Sequence, residues 1–203
     1  MINILANDGI SISGIEKLER DGFNVDTDSV LQDELADAIN KRKISVILVR
    51  SATKITKEII DKCPNLKIIG RGGVGMDNIN VMYAEEKGIL VINTPAASSS
   101  SVAELVFAHL FGMVRFLYAS NRQMPIEGDS NFKALKKSFS GGKELKGKTL
   151  GIIGFGRIGQ EVATRGIGLG MNVIAHDKFT KEANITINFF NGDKKTFTIE
   201  TQG

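Results

Sequence analysis

Leu150-Gly151-Ile152-Ile153-Gly154-Phe155-Gly156-Arg157-Ile158-Gly159 decides how this chain folds. An apolar run, residues 149–153, ends in three glycines spaced Gly154-x-Gly156-x-x-Gly159, and a helical pattern over 160–168 follows. Each glycine has a task. Gly154 permits a tight turn out of the strand, Gly156 lets the backbone approach a pyrophosphate, and Gly159 lets helix and sheet pack closely. Phosphates at such a turn face free N–H groups and the positive end of the helix. With 22 glycines in the chain, the spacing alone carries little weight. Its context carries more, because a second apolar run at 171–175 closes on His176-Asp177. Asp177 stands 21 positions beyond Gly156, where a carboxylate accepts the hydroxyls of a ribose. Its charge opposes a 2′-phosphate, so NAD is the expected cofactor. Arg157 is placed to cover the pyrophosphate and Ile158 to pack beside it.

Upstream, apolar runs at 2–6, 23–25, 46–49, 66–69 and 89–92 alternate with helical patterns. Examples are Ile12, Ile15 and Leu18, and then Leu31, Leu35 and Ile39. This β-α alternation predicts an α/β fold with a parallel sheet covered on both faces. A flavodoxin-like unit over 1–97 is expected, followed from residue 98 to 203 by an incomplete Rossmann unit. Serines 98–101 open a long helix in which Ser101 and Glu104 have capping-box spacing. Val102, Val106, His109, Leu110, Met113 and Leu117 form its expected packed stripe, with His109 inside it. Residues 124–148 read as a polar connection with a little helix inside it. Asn191-Gly192 between two β-rich runs predicts a hairpin.

Ligands of open parallel sheets bind beyond the carboxyl ends of the strands. Three strands of the first unit end in Arg50-Ser51-Ala52-Thr53, in Arg71-Gly72-Gly73-Val74-Gly75 and in Asn93-Thr94-Pro95. Two guanidinium groups, hydroxyls and glycine N–H groups at one mouth suit a small anionic substrate carrying carboxylate or phosphate. Either arginine alone reads better as the solvated cap of a strand.

These strings, with 49–54, 70–78 and the glycine turn, resemble the D-2-hydroxyacid dehydrogenases from the N-terminus to about Asp177. The Arg50–Lys54 string is most similar to the branch that oxidises D-3-phosphoglycerate with NAD to open serine synthesis. The resemblance implies that Arg50 and Ser51 meet the substrate phosphate, with Arg71 assisting, and that Gly73 and Gly75 offer N–H groups to its carboxylate. It implies that Val74 touches the nicotinamide and that Gly154, Gly156, Gly159, Arg157, Ile158 and Asp177 hold the dinucleotide. It also implies homodimers joined largely through the nucleotide domains, with the helix after Asn93-Thr94-Pro95 taking part, and a substrate domain completed by a later segment. The histidine–glutamate pair and the arginine that such enzymes use in catalysis fall downstream of the matching strings. No catalytic residue is therefore assigned in 1–203, and the chain is expected to be an inactive part of a protein of about 300 residues. Another D-2-hydroxyacid as substrate, or an NAD-binding corepressor that is not an enzyme, are the other readings.

Composition narrows the class. Lys and Arg number 26 against 23 acidic groups, a net charge of +3, which gives no case for nucleic acid. The longest apolar stretch is broken by His109, Gly112 and Arg115, too short for a membrane span. Cys63, the single cysteine, excludes an internal disulfide and suits a reducing compartment, so a cytoplasmic protein is expected. It precedes Pro64 away from every motif and reads as structural.

Overall fold

The computed structural model describes residues 2–202. Two compact units divide the chain, one ending at Ala97 and the other starting at Ser98.

The first unit alternates strand and helix throughout: β1 (Asn3–Ala6), α1 (Ile12–Arg20), β2 (Asn24–Asp26), α2 (Leu35–Lys41), β3 (Ile44–Val49), α3 (Lys57–Lys62), β4 (Ile68–Arg71), α4 (Val81–Glu86) and β5 (Leu90–Asn93). Its sheet is wholly parallel in the order β2-β1-β3-β4-β5, the flavodoxin-like winding. One face carries Leu5, Ile47, Val49 and Ile69 into a core closed by Leu35, Ile39, Ile59, Ile60 and Ala84 from the helices. Cys63 is buried in this core, as a structural residue should be. The other face departs from the two-sided expectation. Toward β5 it is open, and Leu90 and Ile92, which pair in register with Ile68 and Gly70, are exposed. The winding reverses between β1 and β3, so the carboxyl ends of β1, β3, β4 and β5 surround a single mouth.

The second unit holds α5 (Ser99–Val114), α6 (Leu117–Ser138), β6 (Thr149–Ile153), α7 (Arg157–Gly168), β7 (Asn172–His176), β8 (Glu182–Asn188) and β9 (Lys194–Gln202). Phe155, wholly buried, packs with Ala103, Phe107, Val162, Ala163, Ile152 and Ala175. The sheet order is β6-β7-β9-β8, with β8 and β9 forming the expected hairpin around Asn191-Gly192. β9 pairs in parallel with β7 through Ala175 and His176, so the edge of β7 is occupied rather than open. Helices lie on one face only; on the other, Ile153 is 90% and Ile174 60% exposed.

Three local expectations about the helices need correction. α5 buries Ser99, Ala103 and Phe107, while Val102, Val106, Met113 and His109 of the expected stripe are exposed. A helix apolar around most of its circumference carries no periodic signal, so tertiary packing chose the face. Ser101 caps nothing: α5 starts two residues earlier with Ser98 as N-cap and no side-chain cap bond. Glu104 instead meets Arg165 of α7 at 3.2 Å. Residues 124–138, read as connection, continue α6 past Pro125 with a kink at Asn131, and the only residue α6 buries is Leu135. Among the described residues no single helix is long and apolar enough to cross a membrane.

Candidate functional site

The mouth of the first unit is a cleft of about 720 Å³ whose lining includes Asp8, Ser11, Arg50, Arg71, Asn93 and Thr94. Each stands at or just beyond the end of a strand or at the start of α1. Arg50 is exposed and Arg71 half-buried. Among the described residues neither guanidinium is within salt-bridge reach of a carboxylate. Two cations without a carboxylate partner in one cleft form a site for an anion, and guanidinium groups recognise carboxylate and phosphate with paired hydrogen bonds. The cleft is lined by no histidine.

The Arg71 guanidinium lies over Gly73, with Nη1 2.3 Å from where a Cβ would stand, and Gly73 has φ of +157°. The Gly73 N–H, expected to serve a substrate carboxylate, is taken by the Arg71 carbonyl at 3.0 Å. That assignment therefore needs correction for the turn as it stands. Gly75 and Val74 are exposed, and the Val74 carbonyl accepts from Asn93 Nδ2 at 2.7 Å. Ser51 is exposed on the turn after β3 but lies outside the cleft lining.

Two residues that sequence reading missed organise this mouth. Asp8 follows β1, and its carboxylate accepts from the N–H of Arg50 at 2.6 Å, the N–H of Thr53 at 3.1 Å and the Thr53 hydroxyl. Burial opposes its ionisation, but the Thr53 hydroxyl and the Arg50, Thr53 and Ala52 amides outweigh it and hold the carboxyl below its usual range. Asn78 lies on the far side of the same turn, its amide bonded to the carbonyls of Arg50 and Thr53 and to Arg71. The signal for Asp8 was its place at a strand end. Nothing in the spacing of Asn78 pointed to its partners.

The glycine turn of the second unit is built as its three positions require. Gly154 has φ of +92°, in the left-handed region. A Cβ on Gly159 would fall 2.2 Å from the Gly154 carbonyl oxygen, so helix and turn touch through bare backbone. Gly156, extended at the N-cap of α7, has nothing within 4 Å of a Cβ, and no side chain caps that helix end. Open space against uncapped N–H groups fits the pyrophosphate of a dinucleotide. Arg157 is exposed beside it, and Ile158 is 37% exposed.

Asp177 is more committed than its spacing suggested. Its Oδ1 accepts from the N–H groups of Phe179 and Thr180 and its Oδ2 from Phe155 N–H at 2.6 Å. The Thr180, Phe155 and Phe179 amides pull its carboxyl down to about 2. An ionised carboxylate has about four acceptor positions. Three are filled by the protein's own backbone, which leaves room for a hydroxyl donor. His176 is exposed at the end of β7, where its carbonyl accepts from Gly154 N–H.

A flavodoxin-like unit with an anion cleft, joined to a glycine-turn unit shaped for a dinucleotide, defines a class of two-part nucleotide-binding proteins. Within that class a family model described as the catalytic domain of D-isomer specific 2-hydroxyacid dehydrogenase matches residues 4–202, and the chain belongs to this family. The match runs through the hairpin, past Asp177 where the likeness was expected to stop. A hydroxypyruvate reductase from Thermotoga maritima is 44% identical over 176 residues, 87% of this chain and 55% of that protein. A D-3-phosphoglycerate dehydrogenase from Methanocaldococcus jannaschii is 41% identical over 179 residues, 88% of this chain and 33% of that protein. Among solved structures, D-lactate dehydrogenase from Aquifex aeolicus complexed with NAD and lactic acid has a TM-score of 0.65 at 30% identity, covering 88% of this chain and 52% of that one. The chain thus spans between a third and about half of the length of these relatives.

Proposed function

We propose that the protein carrying this chain is an NAD-dependent dehydrogenase of D-2-hydroxyacids, with D-3-phosphoglycerate as substrate and 3-phosphohydroxypyruvate as product, the entry reaction of serine synthesis. The observation that carries this reading is the pair Arg50 and Arg71 in one cleft without a carboxylate partner. A substrate with anionic groups at both ends gives each guanidinium a counter-charge. Ser51 adds a hydroxyl on the same turn, and Gly75 an N–H toward the carboxylate.

NAD supplies the hydride acceptor when bound. Gly154, Gly156 and Gly159 shape the pyrophosphate cradle, Arg157 and Ile158 border it, and the remaining acceptor position of Asp177 takes a ribose hydroxyl. Its full negative charge disfavours a 2′-phosphate, which supports NAD over NADP. Val74 is the residue of the first unit assigned to the nicotinamide end. Asp8 is a poor proton acceptor because its turn stabilises the ionised form. The residues of this chain bind and orient. No acid or base of the reaction is assigned among them.

The Thermotoga relative supports a second reading, in which the substrate is unphosphorylated hydroxypyruvate or glycerate. Arg50→Ala separates the two in kinetics on 3-phosphohydroxypyruvate and hydroxypyruvate. A loss of kcat/KM confined to the phosphorylated substrate supports the phosphate assignment, whereas an equal loss on both favours the second reading. The exposed apolar residues of α5, with Leu105 at 57% and Met113 at 70%, support a homodimer built through this helix, which light scattering tests. The lone free thiol supports a cytoplasmic location.

A further inference from the structure

We propose that Asp8 and Asn78 are positioning residues that grip the Arg50–Thr53 turn from two sides and thereby set the aim of both cleft arginines. This rests on the reading of Arg50 and Arg71 as the groups that bind the substrate anion. Asp8 takes the N–H groups of the turn, those of Arg50 and Thr53, together with the Thr53 hydroxyl. Asn78 takes its carbonyls: the two hydrogens of Nδ2 go to Arg50 O at 2.8 Å and Thr53 O at 2.6 Å. Both peptide groups of each terminal residue therefore end on just two side chains.

The same Asn78 amide reaches the second arginine. Its Oδ1 accepts from Arg71 Nε at 3.1 Å. Holding a guanidinium through Nε leaves the two terminal nitrogens for a ligand, and it fixes the plane in which they lie. One amide thus ties the turn that carries Arg50 to the head of Arg71, although the two come from different strands. Only an amide does this. A carboxylate at position 78 has no hydrogens for the two carbonyls, and a hydroxyl has one.

Both clamps are themselves held. The Asn78 carbonyl accepts from Ile55 N–H at 2.8 Å, and the next residue, Ile79, forms a parallel bridge with Ile55, both of them buried. Asp8 follows Asn7, which is 5% exposed and donates to the Thr53 hydroxyl oxygen at 2.8 Å. The network serves a charge that the fold leaves unpaired, which distinguishes it from an ordinary loop brace.

The test titrates 3-phospho-D-glycerate into the protein carrying this chain and its variants, following amide and arginine Nε–H resonances. Asn78→Ala is expected to weaken binding roughly tenfold or more, as for lost hydrogen bonds that orient charged groups. The Arg71 Nε–H signal should lose its protection from exchange. The isosteric variants Asn78→Asp and Asp8→Asn keep the shape of the site and guard against a folding defect. Each should weaken binding while the core methyl spectrum stays intact. Weakened binding by Arg50→Ala and Arg71→Ala with no effect of Asn78→Asp, Asn78→Ala or Asp8→Asn overturns the positioning role alone. Unchanged affinity in both arginine variants overturns the anion site on which it rests.

Discussion

The two candidate mouths use opposite chemistry. In the second unit the ligand surface is backbone: three glycines, an uncapped helix end, and an Asp177 carboxylate that braces the turn through the Phe155 amide. In the first unit the ligand surface is side chain, and other side chains hold the backbone that carries it. A backbone site fails through added atoms, because its value lies in empty space. A side-chain site fails through removed atoms, because its value lies in aimed charge.

The largest effect expected from this contrast is a difference between two glycines three residues apart. Gly159→Ala places a methyl 2.2 Å from the Gly154 carbonyl oxygen, inside backbone that has no flexible end to move away. Forced overpacking of this kind costs about 1–3 kcal/mol or more, so thermal unfolding of the second unit should shift downward and NAD binding should go with it. Gly156→Ala meets nothing within 4 Å and should fold normally while losing NAD affinity, since the methyl fills the pyrophosphate space. If both variants unfold alike, the cradle at Gly156 is not open.

The next effect lies in the side-chain mouth. Arg50→Lys keeps the charge but loses the fork, and Arg50→Ala loses both. The expected order of phosphoglycerate affinity is wild type, then Lys, then Ala, with roughly a tenfold to hundredfold total loss, the range for a charge-assisted hydrogen bond. Affinity for NAD should not move. A matching loss of NAD affinity would mean that the two mouths do not work separately.

These mouths were not equally legible. The glycine turn was readable because its requirement is local, lying within six consecutive residues between a strand and a helix. Arg50 and Arg71 were found by position at strand ends, but Asp8 and Asn78 were not. Their partners lie 42–45 and 25–28 positions away, and only the winding order β2-β1-β3-β4-β5 brings them together. The parallel winding itself followed from the alternation of apolar runs and helical patterns. What failed was one-sidedness: local pattern does not tell which face of α5 packs, nor that Leu90, Ile92, Ile153 and Ile174 remain uncovered.

Acid sharpens the contrast in a smaller way, because each mouth contains one carboxylate bound by turn amides. Asp177 has a folded pKa of about 2 against an ordinary value of 3.8. A depressed carboxyl stabilises the fold fully above its unfolded pKa, and the contribution fades as pH falls through the folded one. The wild-type chain should therefore lose stability relative to Asp177→Asn between about pH 4 and pH 2. Asp8 is shifted in the same direction, so Asp8→Asn should also flatten the acid limb. Urea midpoints across this range measure both. A parallel pair of curves for wild type and Asp177→Asn would show that the three amides do not hold the carboxylate in solution.

The smallest expected effect concerns the entry to the backbone mouth's own unit, where local sequence and tertiary packing disagree. A capping box at Ser101 and Glu104 predicts that Ser101→Ala costs about 1 kcal/mol, as for the loss of an N-cap. The structure places Ser101 inside α5, exposed and with no side-chain cap bond at that helix start. Alanine is also the better helix former, so Ser101→Ala should be neutral or slightly stabilising. Glu104 meets Arg165 at 3.2 Å, but its side chain is 70% exposed, and Arg165 keeps Glu161 at 2.6 Å one turn away. Removing an exposed partner from such a pair is worth about 0–1 kcal/mol. Glu104→Ala should thus cost less than about 1 kcal/mol, and raised salt should shrink that further. The double variant decides between the two accounts. If α5 starts at Ser99, the effects of Ser101→Ala and Glu104→Ala add, because the side chains share no bond. A capping box would make them strongly non-additive, since each change alone removes the same reciprocal interaction.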